Sequence, residues 1–289
     1  MNRPFLFRGG RFLRVVRIDG IVFRELPERD KISIPSKRRQ IMKYTVITGA
    51  SSGIGYEAAK LLAKQGKSLV LVARRHDELE KLRSEIKAIA PKSDVIIKAK
   101  DLSYSENVYG LYESLADLDI ETWINNAGFG DSNFVKDVEV GKIENMIRLN
   151  VEALTVLSSL YVRDYHNVEG ATLLNVASVV GYHIAKKGVT YSASKFFVSA
   201  YTEGLARELM NDGDKLRAKV LAPAATETGF ANRAREEDDF DYSQNVEKYH
   251  TAEEMAGFLV QLLESDQVVG IVNHEDYSFE LRGPIHPYM

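Results

Sequence analysis

A short β-rich run, Tyr44 to Thr48 (YTVIT), passes directly into Gly49-Ala50-Ser51-Ser52-Gly53-Ile54-Gly55 and then into Tyr56 to Lys64 (YEAAKLLAK), which has helical spacing. A strand that enters a helix through so short a turn lays that helix back across its own sheet, which restricts the fold to layered α/β arrangements. The glycines let backbone approach a ligand closely, and the free N–H groups at a helix start face an anion. This is the arrangement that holds a dinucleotide pyrophosphate. A tight βα turn without a ligand looks the same in isolation, so the rest of the chain has to decide.

From Tyr44 onward, short β-branched runs alternate with helical stretches. Strands are expected at Tyr44–Thr48, Ser68–Ala73, Asp94–Lys98, Thr122–Asn125, Thr172–Ala177, Leu216–Ala222 and Val268–Asn273, with helical segments between them, among them Glu139–Tyr165 and Thr251–Glu264. The alternation implies parallel pairing through right-handed crossovers. The expected fold is a single doubly wound Rossmann-like α/β domain with a mostly parallel seven-stranded sheet, spanning 43–273 and followed by a C-terminal tail, 274–289. With 45% hydrophobic residues, a chain of 289 has enough apolar material for one such core. Cysteine is absent, which excludes disulfides, a thiolate nucleophile and cysteine-based zinc sites, and fits a cytoplasmic setting. The six histidines show no paired ligand spacing, so no metal is expected. No apolar run approaches the roughly 18 residues of a membrane span.

Residues 1–42 stand apart, with eleven Lys/Arg against four Asp/Glu and three of the seven prolines. A segment of this kind suits a basic arm for nucleic acid, a targeting peptide, or sequence translated from a start codon set too early. Met42-Lys43 immediately precedes the first strand, which favours the last of these, and no nucleic-acid partner is expected. The apolar residues between Phe5 and Phe23 suit a hairpin. On this reading residues 1–42 are a basic extension, not native or disordered, and residues 1–41 are dispensable to the domain.

A second constellation lies far downstream, in Asn175 to Lys195 (NVASVVGYHIAKKGVTYSASK). Tyr191 and Lys195 are four residues apart, which on a helix places them on one face. A tyrosine with a pKa of about 10 is a poor proton shuttle near neutrality, but a cation about 4 Å away favours the phenolate by roughly 4 kcal/mol at an effective dielectric near 20. A lowering of about one or two units is the expectation after desolvation. Ser178, thirteen residues earlier, would come from a strand end to hold the oxygen of an alcohol or carbonyl while Tyr191 exchanges its proton. Tyr-x-x-x-Lys alone is as well explained by a solvated helix face.

Taken together, Thr48-Gly49-x-x-x-Gly53-x-Gly55, Asn125-Asn126-Ala127-Gly128, Asn150, Ser178, Tyr191-x-x-x-Lys195 and Pro223 resemble the short-chain dehydrogenase/reductase family over roughly Lys43 to Asn273. The resemblance implies an NAD(P)-dependent oxidoreductase acting on a small carbonyl or secondary alcohol substrate, assembled as a homodimer or homotetramer. It implies Asn150, Ser178, Tyr191 and Lys195 as catalytic residues, with Asn150 linking bulk water to the lysine. Cofactor contacts are implied for Gly49, Ser51, Ser52, Gly53, Ile54, Gly55, Asp101, Leu102, Asn126, Ala127, Gly128, Tyr191, Lys195, Pro223, Ala224, Thr226 and Thr228. Asp101 suits helix capping equally well. A catalytically silent NADP-sensing or scaffold protein on the same fold is the alternative, because fold does not imply activity.

The second strand bears on cofactor choice. It ends Leu71-Val72-Ala73-Arg74-Arg75 with no acidic residue to take a ribose 2′-hydroxyl. Arg74 and Arg75 offer donors to a 2′-phosphate, so NADP(H) is expected over NAD(H). Ala224 stands where the family usually has glycine, which would strain a backbone of positive φ. The polar stretch Gly229–Lys248, with REEDDFD at 235–241, is expected to belong to a mobile lid around 224–250 that sets substrate choice together with Phe129–Phe134 and Val180–Lys187.

Overall fold

The computed structural model describes residues 42–230, 234 and 241–289 in full, and the backbone of β1 (Arg14–Ile18) and β2 (Ile21–Glu25). The chain divides into residues 1–41 and 42–289. In the first unit β1 and β2 pair antiparallel with Ile18 opposite Ile21, a hairpin that overlaps the stretch Phe5–Phe23 and runs two residues past it. The rest of that unit lies outside the described residues, and its dispensability remains a proposal.

The second unit is built on one sheet, whose strands are β3 (Lys43–Thr48), β4 (Ser68–Ala73), β5 (Val95–Ala99), β6 (Asp119–Asn125), β7 (Thr172–Val176), β8 (Arg217–Ala222), β11 (Val269–Val272) and β12 (Phe279–Arg282). Their order is β12-β11-β8-β7-β6-β3-β4-β5, and β12 alone runs antiparallel. The seven expected strands are present and parallel. An eighth was not expected, because FELR is short and polar and lay in the presumed tail. A turn through Tyr277, with φ 64, folds it back as a hairpin on β11.

β4 is buried along its whole length because both faces of the sheet are covered. Leu69 and Leu71 face one core with Leu62 of α1 (Gly53–Lys64), Leu82 of α2 (His76–Ile89) and Leu259 of the helix Ala252–Glu264. Val70 and Val72 face the other, with Leu111 of α3 (Ser105–Glu113), Tyr161 of α5 (Leu154–Tyr165) and Leu209 of α6 (Val189–Asp212). A fully buried leucine contributes about 1.5–3 kcal/mol, so this two-sided core holds the strand ends rigidly in register. Asn125 ties β6 to β7, donating to Asn175 Oδ1 at 3.0 Å and to Ser158 Oγ at 3.1 Å on α5.

The helical run expected from 139 to 165 is split into α4 (Val140–Ile147), a π-helical turn (Arg148–Ala153) and α5. Asn150 lies in the π turn, and its side-chain amide bonds to Phe129 and Ser194 outside its own helix. Two short strands, β9 (Thr226–Glu227) and β10 (His250–Thr251), pair parallel and close the base of the segment expected as a lid. Residues 231–233 and 235–240 of that segment lie outside the described residues.

Candidate active site

Loops from the carboxyl ends of β3 to β8 enclose a cavity of about 470 Å3, as expected for an open α/β sheet. It brings together Gly49, Ser51, Ser52, Gly53 and Ile54 after β3, Arg74 and Arg75 after β4, and Asp101 and Leu102 after β5. Asn126, Ala127 and Gly128 follow β6, Ser178 follows β7, Tyr191 and Lys195 come from α6, and Pro223, Ala224, Thr226 and Thr228 follow β8. Gly55 and Asn150 support the wall without lining it. A Cβ on Gly55 would stand 2.5 Å from Asn126 Nδ2, and one on Gly128 would stand 3.0 Å from Asn150 Oδ1.

The glycine turn is built to approach backbone closely. Gly49 and Gly53 have φ of 70° and 61°, which glycine adopts without strain. Thr48 Oγ1 accepts from the Asn126 and Ala127 amides at 3.0 Å each, and Asn126 Nδ2 donates to the carbonyls of Thr48 and Gly49. Ser52 caps α1 by backbone geometry with no side-chain hydrogen bond to its first turn, so the helix start presents its amides to the cavity. These features fit a dinucleotide pyrophosphate. Ala224 is unstrained, since among the described residues the only non-glycine of positive φ is Tyr277.

Arg75 Nη2 donates to Ser51 Oγ at 3.0 Å and to its carbonyl at 3.2 Å, while Arg74 Nη1 stands 3.8 Å from Asp101 Oδ2. Asp101 Oδ1 accepts from the amide and hydroxyl of Ser103, and α3 begins only after Tyr104. The capping expected of Asp101 is thus a local turn ahead of the helix.

Asn150 is 1% exposed; its Oδ1 accepts from Phe129 N at 3.1 Å, and its Nδ2 donates to Phe129 O at 2.8 Å and Ser194 Oγ at 3.2 Å. Lys195 Nζ, also buried, donates to Val176 O at 2.9 Å and lies 5.8 Å from the centre of the Tyr191 ring. Burial lowers the Lys195 ammonium to about 8. Burial also raises the Tyr191 phenol, a hydrogen bond with Ser178 opposes the rise, and the neighbouring Tyr242 adds to it. The lowering of Tyr191 expected from the sequence is therefore reversed. The ring is enclosed by apolar neighbours such as Phe230, 5.5 Å between centroids, and the ammonium is directed at the Val176 carbonyl.

The Lys195 shift carries a stability prediction. Between pH about 8 and about 10.5 the unfolded chain would hold the lysine proton that the folded chain has lost, so stability attributable to this group rises with pH. Compared with Lys195→Met, the parent should gain on the order of 2 kcal/mol from pH 8 to 10 in denaturant unfolding. Parallel pH profiles of the two proteins would contradict the burial of this charge.

The cavity positions Val72, Ala73, Leu149, Val176, Ala177 and Val179 were not anticipated, and Ala225 and Tyr242 were covered only as part of the lid expected around 224–250. Phe230 and Tyr242 come from the segment read as polar and acidic, whose three aromatics, Phe230, Phe240 and Tyr242, were the available signal. Tyr242 is 7% exposed. Among the described residues no helix is long and apolar enough to cross a membrane, and no group of three or more His, Asp or Glu is placed to hold a metal ion.

A parallel sheet with this cleft, glycine turn and Ser-Tyr-Lys set defines a nucleotide-binding α/β oxidoreductase. A family model described as short chain dehydrogenase matches residues 43–239, and the chain belongs to that family. An uncharacterized oxidoreductase of Staphylococcus saprophyticus is 32% identical over 210 residues, 72% of this chain and 82% of that one. A short-chain dehydrogenase from Sphingobium yanoikuyae in complex with NADPH is similar with TM-score 0.74 and 29% identity, over 81% of this chain and 88% of that one. The bulky-bulky ketone specific alcohol dehydrogenase from Comamonas testosteroni gives TM-score 0.70 and 26% identity, over 81% and 87%. The protein is an oxidoreductase acting on alcohol or carbonyl groups.

Proposed function

We propose that the protein is an NADP(H)-dependent oxidoreductase that interconverts a small, uncharged carbonyl compound and its secondary alcohol. The observation that carries this reading is that one cavity joins the glycine turn and the Arg74-Arg75 pair at one end to Ser178, Tyr191 and Lys195 at the other. The nicotinamide cofactor supplies or accepts the hydride when bound. Ser51, Ser52, Gly53 and Ile54 would hold the pyrophosphate, Arg74 and Arg75 the 2′-phosphate, and Thr226 and Thr228 the nicotinamide side. Ser178 Oγ holds the substrate oxygen, and Tyr191 Oη gives or takes the proton on that oxygen. Lys195, cationic below pH about 8, stabilises negative charge on the phenol, and Asn150 fixes the wall behind it. The substrate end is apolar, with Phe129, Val179, Val180, Phe230 and Tyr242, and the lining cations are only Arg74, Arg75 and Lys195 among the described residues. A neutral substrate suits such walls, because an ionised one would be desolvated there without a free partner. Assembly as a homodimer or homotetramer belongs to the same reading and rests on the family alone.

The cofactor arm of the proposal is tested by titrating NADPH and NADH. Removing an arginine that contacts the 2′-phosphate should weaken NADPH by about 1.5–3 kcal/mol and leave NADH nearly unchanged. Arg74→Ala and Arg75→Ala measure the two contributions separately. Equal affinity of the parent for NADPH and NADH would overturn the assignment.

A further inference from the structure

Glu203, in the middle of α6, is 1% exposed, and its carboxylate is held by donors from two distant segments. Tyr182 Oη donates to Oε1 at 2.6 Å, and the amides of Ile285 and His286 donate to Oε2 at 2.5 Å and 2.8 Å. His286 is bound to the same place in other ways. Its ring stacks on Tyr182 at 5.1 Å, its Nε2 lies 2.9 Å from Ser199 Oγ, and Ser199 Oγ donates to Gly181 O at 2.8 Å. Arg207 closes the arrangement by donating to the His286 carbonyl at 3.0 Å and covering the Tyr288 ring.

Gly181 and Tyr182 end the turn Val179–Gly181, which Ser178 begins. The Ser178 hydroxyl makes two long bonds within its own loops, donating to Pro223 O at 3.2 Å and accepting from Val180 N at 3.4 Å, and otherwise meets the Tyr191 phenol. Its position therefore follows the turn. A buried carboxylate satisfied by charge-assisted bonds couples its donors, because withdrawing one leaves a charge in apolar surroundings with too few partners. Segment 284–288 and the Ser178 turn are thus joined through one side chain. Gly181 lets the turn lie close against α6, since a Cβ there would stand 2.6 Å from the Lys195 carbonyl.

The geometry points to Glu203 as a positioning residue that uses segment 284–288 as a strap to fix the Ser178 hydroxyl against the substrate oxygen. This rests on the role given to Ser178 in the proposed function. The test compares the parent with Tyr182→Phe, Glu203→Gln and a chain ending at Gly283, using NADPH and a neutral ketone, with active sites counted by NADPH binding. Each variant should lose about tenfold to a hundredfold in kcat and keep its NADPH dissociation constant, because the 2′-phosphate and pyrophosphate contacts lie elsewhere in the cavity. Tyr182→Phe combined with Ser178→Ala should be no slower than Ser178→Ala alone, an epistasis that general loosening of the fold would not produce. Tyr182→Phe removes a single oxygen, so it decides the question if the other two variants fail to fold. A parental kcat in Tyr182→Phe beside an impaired Ser178→Ala would overturn the strap alone. A parental kcat in Ser178→Ala would overturn the role of Ser178 and the strap with it.

Discussion

Tyr191→Phe should lose about 10²- to 10⁴-fold in kcat, the usual worth of a positioned proton donor, while its affinity for NADPH stays close to the parent's. The loss should be in kcat because the ring remains: its packing on Phe230, 5.5 Å between centroids, needs no hydroxyl. The measurement is steady-state turnover with a neutral ketone beside direct NADPH titration. Retained turnover would move the proton transfer to another group, and lost cofactor binding would give Tyr191 a role in holding the cofactor.

The second large effect is expected at Gly49. Alanine there must adopt φ of 70°, which costs about 1–2 kcal/mol, and its Cβ would stand 2.8 Å from Ala127 Cα and 2.9 Å from Ala127 N. Those atoms are backbone at the end of β6, held to Thr48 Oγ1 by two amides, so they do not yield as a flexible side chain would. Overpacking of this kind adds about 1–3 kcal/mol, and the displaced turn should bind NADPH at least about tenfold more weakly. Gly66→Ala is the control, because its φ is 82° but its Cβ would meet nothing within 4 Å. It should show the backbone cost alone. Equal stability and equal cofactor affinity in the two variants would contradict the close-approach role of Gly49.

Much of the site was legible in the sequence because its parts are local. The strand, glycine turn and helix of 44–64 fall in one window, and the Tyr191–Lys195 spacing maps directly onto a helix face. Asn150 was legible as a polar interruption, although the π turn that carries it was not. What escaped depends on packing between distant segments. β12 was hidden because an edge strand needs no apolar alternation, and Glu203 looked like any helix glutamate until the 284–288 segment was placed over it. The sign of the Tyr191 shift was misread because spacing gives proximity to a cation but not the apolar enclosure that opposes it.

The cavity is expected to bind NADP(H) so that hydride passes between it and a carbonyl carbon, and no other step bears so directly on the proposed function. This transfer is tested most directly with NADPH carrying deuterium at both C4 positions of the nicotinamide ring, a panel of neutral ketones and aldehydes, and mass analysis of the products. The expected product is an alcohol carrying deuterium on the former carbonyl carbon, formed in step with NADPH loss. NADPH that binds tightly yet stays unoxidised across the panel would contradict it.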